Sequence, residues 1–453
     1  MNKIINIIFY LGLFFFAFNS FEGPTFLGEF KDEAGVYFFV SGFLLLFFNQ
    51  KIFFPIKSHE FQIVLIFLGW CFLCTLLNIA EVSQNYFKHT YGINRFIRQY
   101  FSICLSSVLF FLFFYSMLKK MSLSEIFINV RRVFLFSLIF AFILGFFETL
   151  YSIFGIGQIK KVIDVFNLFP FVEKDVFNDR ISSIGNEPPL LAIYLITISG
   201  WMFSYIITNK GWLKYLPTIL VLFLTYFCGS RTGLIVILFQ MILFFATITP
   251  TQKIIDISKK VVLYITILVG LVIVFNGDKI VKSVEKKLES LDFKGNLEKS
   301  ISNQSRFGMQ YATLEVFKEH PIVGVGFGQQ SYYSRHKYPR WAKKNNYEFK
   351  LLYENNAVKA FPPGYNIYTR IMAETGLIGL LIILYMIYYT LRKVRKIIKN
   401  SDGLKTNLSL ILLTSFAGLY INWLQIDSFK IFGIWFSLAL LIRLQSKELD
   451  ATT

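Results

Sequence analysis

Apolar residues fall into about twelve long stretches separated by short polar or charged segments, and a helix needs roughly 20 apolar residues to cross a bilayer. The predicted spans lie near residues 4–21, 34–49, 60–79, 101–118, 133–155, 188–208, 213–229, 232–249, 261–275, 366–391, 407–425 and 428–443. The pattern predicts an all-α polytopic membrane protein with about 12 transmembrane helices.

The composition agrees with this prediction. Of the 453 residues, 55% are hydrophobic, 19% are aromatic and 16% are charged. Soluble domains of this size cannot bury so much apolar surface, whereas a bilayer solvates it. The net charge of +18 is typical of Lys and Arg in short cytoplasmic loops, so it does not indicate a nucleic-acid partner. Only Lys3 precedes the first apolar stretch and no small-x-small cleavage site follows it, which predicts an uncleaved first span.

The distribution of basic residues predicts the orientation. The densest basic cluster, within 392–405, is placed in the cytoplasm together with both termini, and the acidic segment "FEGPTFLGEFKDEAG" is placed outside. Three regions follow. Residues 1–275 carry spans one to nine, with a shorter outer loop near 156–187. Residues 276–365 form one large, partly helical, periplasmic loop, and residues 366–453 carry the last three spans and a cytoplasmic tail.

Several arginines fall on the predicted outer face, against the positive-inside trend. Arg231 lies in "CGSRTGLIVI" between two spans, and the others include Arg95, Arg98, Arg180, Arg306, Arg335 and Arg340. Arginines that reach towards headgroups from the interface explain one or two such residues, and this alternative stays open for Arg231 alone. The set as a whole indicates binding of an anionic group.

The large loop is not a low-complexity segment. "DKIVKSVEKKLESLDFKGNLEKS" is amphipathic and predicts a helix on the membrane surface or against the bundle. "NQSRFGMQYATLEVFKEHP" predicts a second helix, with Ser305 as its cap and Pro321 after its end. The glycine turn "GVGFGQQ" follows it. The next stretch, "YYSRHKYPRWAKKNNYEFK", interleaves rings with basic residues, and a pattern of this kind suits carbohydrates and anionic groups. It makes Tyr333 and Trp341, with Arg335 and Arg340, candidate substrate-binding residues.

Four segments in order resemble the O-antigen polymerase and O-antigen ligase superfamily of bacterial envelope glycosyltransferases. They are "RISSIGNEPPLLAIYL", "SRTGLIVILF", "SRFGMQYATLEVFKEHPIVGVGFG" and "YNIYTRIMAETGLIGLL", and together they cover roughly residues 180 to 390. The resemblance implies a helical bundle like those of lipid-donor (GT-C-like) glycosyltransferases, in the bacterial inner membrane, with its active site facing the periplasm. It also implies catalytic roles for the motif arginines Arg180, Arg231 and Arg306.

The sequence departs from the ligase pattern at one position. The ligases of the superfamily usually have His-Asn, with the histidine proposed as the catalytic base, where this chain has Tyr365-Asn366. This favours a polymerase over a ligase and leaves the base unassigned. Tyr365 and Asn366 are candidate sugar contacts, with packing as an equal alternative.

The resemblance implies a glycan donor on undecaprenyl pyrophosphate. Arginines bind phosphate oxygens bidentately and stabilise the charge that builds on the leaving group. Attack from the opposite face would invert the anomeric centre, and only a base is needed for the acceptor hydroxyl. The candidate bases are His320, His336, Glu354 and Glu374. As alternatives, His320 ends a helix, His336 is a solvated or sugar-contacting loop residue, and Glu374 orients its neighbours.

No metal or other cofactor is expected, because the predicted outer site has no DxD-type acidic cluster and no histidine pair. The expected partners are the undecaprenyl-pyrophosphate-linked glycan donor and acceptor, membrane lipid and, as a further candidate, a chain-length regulator protein. Two other functions stay open. One is a ligase that moves glycan to lipid A core or protein. The other is a flippase or transporter of lipid-linked oligosaccharide, although the spans are almost free of central charges.

Overall fold

The computed structural model of the protein describes residues 2–21, 23–24, 30–166, 179–248 and 300–446. Within these ranges, six helices are long and apolar enough to cross a membrane, and five shorter helices are also apolar. The chain is thus a mostly helical, multi-pass membrane protein. The predicted span at 261–275 and the predicted surface helix within 277–299 lie outside the described residues. The count of twelve spans, the large loop and the division into three regions therefore stay predictions.

The helices, numbered here in chain order, are α1 Asn2–Phe14, α2 Ala34–Phe48, α3 His59–Leu77, α4 Ile79–Gln84, α5 Gly92–Lys119, α6 Leu123–Ile153, α7 Lys160–Phe166, α8 Pro188–Thr208, α9 Leu216–Phe227, α10 Arg231–Ile248, α11 Ile301–Glu319, α12 Gln330–Ser334, α13 Arg340–Lys343, α14 Ile367–Asn400, α15 Gly403–Asn422 and α16 Phe432–Gln445. A short hairpin pairs β1 Tyr86–Phe87 with β2 Thr90–Tyr91 in antiparallel register. Single 3₁₀ or π turns occur at Phe15–Ala17, Gly157–Ile159, Trp212–Tyr215 and Phe349–Tyr353.

Helix α15 lies at the centre of the packing and contacts α8, α10, α14 and α16. A buried amide joins three of these helices. Gln240 of α10 accepts a hydrogen bond from Ser199 of α8 at 2.9 Å and donates to the carbonyl of Thr414 of α15 at 2.9 Å. Gly418 allows this close approach, since a Cβ there would lie 2.1 Å from the Gln240 amide nitrogen. Small residues and interhelical hydrogen bonds are the usual means of helix association within a membrane.

Helix α14 is interrupted at Gly376, which has φ 67° and ψ −167°. Backbone amides of the glycine turn at 321–328 fill the break by donating to the carbonyls of Ala373 and Glu374, each at 2.9 Å. A Cβ at position 376 would lie 2.0 Å from the carbonyl oxygen of Ile322, so only glycine fits. Two of the segments that resemble the superfamily, "GVGFG" and "AETG", thus form one interlocked unit.

The second predicted helix of the loop is present, but its start differs from the prediction. Helix α11 begins at Ile301 with Ser300 as its N-cap, so the prediction that Ser305 caps the helix is wrong. Ser305 is instead buried inside the helix, where its hydroxyl accepts a hydrogen bond from Asn346 at 2.9 Å. The predicted end is confirmed, since α11 stops at Glu319, two residues before Pro321.

Candidate functional site

Three arginines from distant parts of the chain line one cavity at the end of the bundle where α9 ends and α10 begins, called here the loop end. The cavity has a volume of about 410 Å³, and Arg180, Arg231 and Arg306 all line it. Its described lining contains no lysine, aspartate, glutamate or histidine. Three guanidinium groups that converge on one cavity favour an anionic ligand. We call it the arginine cavity.

The first turns of several helices also face the arginine cavity. Its lining includes Pro188 of α8, Thr232 of α10, Asn303 of α11 and Asn366, which caps α14. Each helix N-terminus carries partial positive charge and backbone amides that lack partners within the helix. The dipoles of these helices therefore add to the positive potential of the arginines, while α8 begins with two prolines and the first amides of α14 donate to Asn366.

Polar side chains hold two of the three guanidinium groups in place. Arg231 donates from Nη2 to the amide oxygen of Asn303 at 2.9 Å, and Arg306 donates from Nη1 to that of Gln425 at 3.3 Å. Asn303, Arg306 and Gln310 follow one another at spacings of three and four residues, so they lie on one face of α11. Both bonding partners are neutral amides, so these two bonds orient the guanidinium groups.

Arg180 reaches the cavity from the segment that precedes α8. The amide of the next residue, Ile181, donates to the carbonyl of Phe227 at the end of α9, at 3.1 Å. The buried carboxylate of Glu148 accepts a hydrogen bond from the amide of Ser183 at 2.6 Å and anchors the same segment. This stretch is thus tied to both α6 and α9, which fixes the backbone that carries Arg180.

Asn366 lines the arginine cavity, and Tyr365 contacts one of the arginines that line it. The side-chain oxygen of Asn366 accepts hydrogen bonds from the amides of Tyr368 and Thr369 at the start of α14. The Tyr365 ring lies 5.5 Å from the Arg306 guanidinium, within range of a cation–π contact. Its hydroxyl lies 2.7 Å from that of Tyr353. Burial raises the pKa of Tyr365, so the phenol stays protonated near neutral pH.

The candidate bases all lie outside the lining of the arginine cavity. His336 accepts a hydrogen bond at Nε2 from Arg335 at 2.8 Å, and burial followed by the charge of Arg335 lowers its pKa. Glu354 pairs with Lys343, and Glu374 with the buried Arg370 at 3.1 Å. His320 ends α11, and its ring lies 5.7 Å from the ring of Tyr333. Their assignment as bases stays a prediction.

The other candidate substrate-binding residues lie elsewhere at the loop end. Arg335 donates to the carbonyl of Tyr86 at 3.3 Å, and the Tyr333 hydroxyl donates to Glu81 at 3.2 Å. Trp341 packs against the buried cluster of Met309, Ala312, Tyr338, Ala342, Phe349 and Tyr353. Arg340 is exposed at the first turn of α13. None of these four candidates lines the arginine cavity.

Sequence reasoning missed the polar partners of the arginines. Asn303 and Gln310 carry a usable signal, because they share a helical face with Arg306. Gln425 follows α15 in a short connection and carries none. Arg370 was also missed, although its spacing of four residues from Glu374 is typical of a helical ion pair.

A family model matches the part of the chain that supplies much of the arginine cavity. Residues 216–384 match the family model described as O-Antigen ligase, and this range contains Arg231, Arg306 and the Gly376 break. This match supports the resemblance of the chain to the O-antigen polymerase and ligase superfamily. Members of the superfamily are glycosyltransferase-like enzymes of surface-glycan assembly. No curated protein matches the chain significantly.

Proposed function

We propose that the protein polymerises oligosaccharide repeat units carried on undecaprenyl pyrophosphate into O-antigen or a related surface polysaccharide. The arginine cavity carries this proposal, because it brings three guanidinium groups together in a chain whose residues 216–384 match the family model described as O-Antigen ligase. A diphosphate headgroup has the charge and the planar oxygen pairs that guanidinium groups bind best. The apolar rim, which includes Phe307 and Leu424 at 39% and 50% exposure, suits a polyprenyl tail.

In the proposed reaction, a hydroxyl of the acceptor sugar attacks the anomeric carbon of the donor glycan. The bond between that carbon and the pyrophosphate oxygen breaks, and undecaprenyl pyrophosphate leaves with the electron pair. Attack opposite the leaving group inverts the anomeric centre. The arginines are held before the reaction starts, and so they stabilise the charge that develops on the leaving oxygen. This chemistry is metal-independent, since guanidinium groups supply the positive charge.

The acceptor proton passes to a base or to solvent as the new bond forms. His320, His336, Glu354 and Glu374 remain the proposed candidates, although each has another contact in the structure. Because pyrophosphate is a good leaving group, the reaction needs no general acid. Transfer of the acceptor proton to solvent after most of the bond has formed fits these contacts best.

The proposed setting is the bacterial inner membrane, with both termini in the cytoplasm and the loop end facing the periplasm. The substrates are the lipid-linked donor and acceptor, and a chain-length regulator is a further proposed partner. The basic cluster at 392–405 lies at the opposite end of α14 from the arginine cavity, which supports this orientation.

A ligase is the second candidate, because the matched family model is described as O-Antigen ligase. The Tyr365-Asn366 pair, in place of the His-Asn of the ligases, favours the polymerase. Incubation of the purified protein with synthetic undecaprenyl-pyrophosphate repeat units separates the two. A ladder of longer lipid-linked glycans supports the polymerase, and transfer only after lipid A core or protein is added supports the ligase. Failure to form any glycosidic bond under both conditions overturns the proposal.

A further inference from the structure

The end of the bundle opposite the arginine cavity, called here the far end, carries basic side chains on two neighbouring segments. The connection between α2 and α3 supplies Lys51, and the end of α5 supplies Lys119 and Lys120. His59, the first residue of α3, places the connection at this end, because its Nε2 lies 2.9 Å from the hydroxyl of Tyr385 in the second half of α14. These lysines therefore lie far from the candidate functional site.

One aromatic residue joins the two segments and gathers the lysines. The amide of Phe53 donates to the hydroxyl of Ser116 in α5 at 2.9 Å, which fixes the connection against the helix. The Nζ atoms of Lys119 and Lys120 lie 4.2 Å and 5.6 Å from the centroid of the Phe53 ring, within range of cation–π contacts. Lys51 is also close, because its charge, after burial, is the second cause that lowers the pKa of Lys120. The ring thus restricts where these flexible side chains place their ammonium groups.

The two segments contain no acidic residue of their own. Residues 49–58 and 115–121 include neither aspartate nor glutamate. The carboxylates that come next in the sequence have other partners, since Glu60 accepts a hydrogen bond from Gln445 at 2.6 Å and Glu125 takes part in a capping box. Mutual repulsion among neighbouring ammonium groups favours the binding of an anion between them.

The same connection presents apolar side chains close to the lysines. Phe54 and Ile56 are 59% and 61% exposed, on either side of the buried Pro55. Hydrogen bonds hold the backbone here, because the carbonyl of Pro55 accepts from the Ser58 hydroxyl at 2.8 Å and that of Ile56 from the Gln62 amide at 3.0 Å. Both neighbouring helices, α3 and α5, are long and apolar enough to cross a membrane. Exposed apolar side chains at the ends of such helices suit the acyl chains of a lipid.

We propose that the far end binds an anionic phospholipid, with its phosphate among Lys51, Lys119 and Lys120 and its acyl chains along Phe54 and Ile56. We call this group of five residues the lipid site. Lysines clustered at the ends of membrane helices attract the anionic headgroups of a bilayer. The adjacent apolar side chains favour a lipid over a soluble anion. The lipid site takes no part in the proposed reaction, so the two proposals can fail independently.

The test measures the affinity of the purified protein in detergent for the first equivalent of phosphatidylglycerol, by native mass spectrometry. Four forms are compared: wild type, K119Q/K120Q for the lipid site, K119R/K120R, which keeps the charge, and K396Q/K399Q as the control. Lys396 and Lys399 are exposed in the last turns of α14, so the control removes the same charge from the same end of the bundle. It therefore separates a defined lipid site from the general attraction of a basic surface.

We expect K119Q/K120Q to bind phosphatidylglycerol at least about tenfold more weakly than the wild type, because two charges that attract the phosphate are lost. K119R/K120R and K396Q/K399Q should stay within about twofold of the wild type. Phosphatidylcholine, whose headgroup has no net charge, should bind the wild type at least about tenfold more weakly than phosphatidylglycerol. Equal losses in K119Q/K120Q and K396Q/K399Q, or equal affinity of the wild type for the two lipids, would overturn the proposal.

A fifth form, K120Q, guards against a folding defect in the double variant. Lys120 is exposed just after α5, so K120Q should melt like the wild type without added lipid and should bind phosphatidylglycerol about threefold more weakly. Wild-type affinity in K120Q would overturn the proposal. Glycerol 1-phosphate, which lacks acyl chains, should displace the lipid only at concentrations at least about a hundredfold higher than those at which phosphatidylglycerol does. Equal competition by the two compounds would mean that the lysines bind a free anion, and it would overturn the assignment to a lipid.

Discussion

The guanidinium of Arg231 donates a hydrogen bond to the amide oxygen of Asn303 across 72 positions of sequence, at 2.9 Å. This bond joins the first residue of α10 to the first turn of α11 at the edge of the arginine cavity. A lysine at position 231 could not both reach Asn303 and present a second, coplanar N–H pair to a ligand. Replacement of Arg231 by lysine therefore tests whether the site requires the planar guanidinium group or only a positive charge.

We expect Arg231→Lys and Arg306→Lys each to lower glycan polymerisation by about 10²–10³-fold, as for removal of one preorganised donor to a developing anion. Polymer length on gels, normalised to purified folded protein, measures the effect. Arg395→Lys is the matched control, because Arg395 is exposed near the far end of α14. Wild-type activity in both cavity variants would contradict the role proposed for the arginines.

The sequence pattern predicted many helix limits closely, because an apolar run often ends at a turn-forming or charged residue. The span predicted at 188–208 coincides with α8, which begins at two prolines. Helix α6 shows why other limits were missed. It begins at Leu123 instead of near 133, because Ser122 and Glu125 form a capping box and the helix continues through the polar residues Arg131 and Arg132. Hydropathy does not detect a helical extension beyond the apolar run.

The arginines of the candidate site could be identified from the sequence, but its geometry could not. Arg180, Arg231 and Arg306 stood out as basic residues on the predicted outer face, and the structure brings them to one cavity. The wall of the arginine cavity at Leu424, Gln425 and Ile426 belongs to the connection at 423–431, which has no pattern of its own. Its position follows from packing between α14 and α15. Tertiary contacts of this kind leave no periodic signal in a single sequence.

Replacement of Gly376 by alanine should disrupt the break in α14. The new Cβ would meet the Ile322 carbonyl oxygen at 2.0 Å, and the backbone has φ 67°. The combined clash and strain should cost about 3 kcal/mol or more. Gly69→Ala is the control, since Gly69 lies in α3 and a Cβ there meets nothing within 4 Å, so its effect should stay within about 1 kcal/mol. Thermal melting in detergent measures both, and equal melting temperatures would refute the requirement for glycine.

Arg370 and Glu374 form a buried ion pair one turn apart in α14. Glu374→Leu should destabilise the fold by about 3 kcal/mol, because it leaves the guanidinium without its carboxylate. The double variant Arg370→Leu/Glu374→Leu should be less destabilised than the sum of the two single changes by about 1 kcal/mol or more. A double-mutant cycle of melting curves checks this. If Glu374→Gln instead melts like the wild type and loses all polymerisation, Glu374 acts as the base.

Tyr365 should act through its ring. Tyr365→Phe keeps the ring that lies 5.5 Å from the Arg306 guanidinium, so this variant should retain at least about a third of the wild-type activity. Tyr365→Ala removes the ring, and its activity should fall about tenfold, which corresponds to the loss of roughly 1.4 kcal/mol of cation–π interaction. The rate of repeat-unit addition at saturating substrate separates the two. Equal loss in both variants would show that the phenol hydroxyl takes part in the reaction, through its contact with Tyr353.

Glu33 should make the stability of the protein depend on pH. Glu33 directly precedes α2 and, with Asn19 and Lys430, lines a cavity of about 180 Å³. Burial raises the pKa of its carboxyl group from 4.5 to about 7, although the positive charge of Lys430 acts in the opposite direction. The folded state therefore holds this proton more tightly than the unfolded state. The resulting stabilisation is fully present below pH 4.5 and is lost as the pH rises through 7.

We expect the wild type to lose about 1–3 kcal/mol of unfolding free energy relative to Glu33→Gln between pH 5 and pH 8, because the neutral amide does not titrate. Melting curves of both proteins in detergent across this range measure the difference. Asp402→Asn, which removes an exposed carboxylate just before α15, is the control and should follow the wild-type profile. Parallel profiles for the wild type and Glu33→Gln would show that Glu33 is already ionised at pH 5 in the folded protein, so that its burial has no effect on the pH dependence.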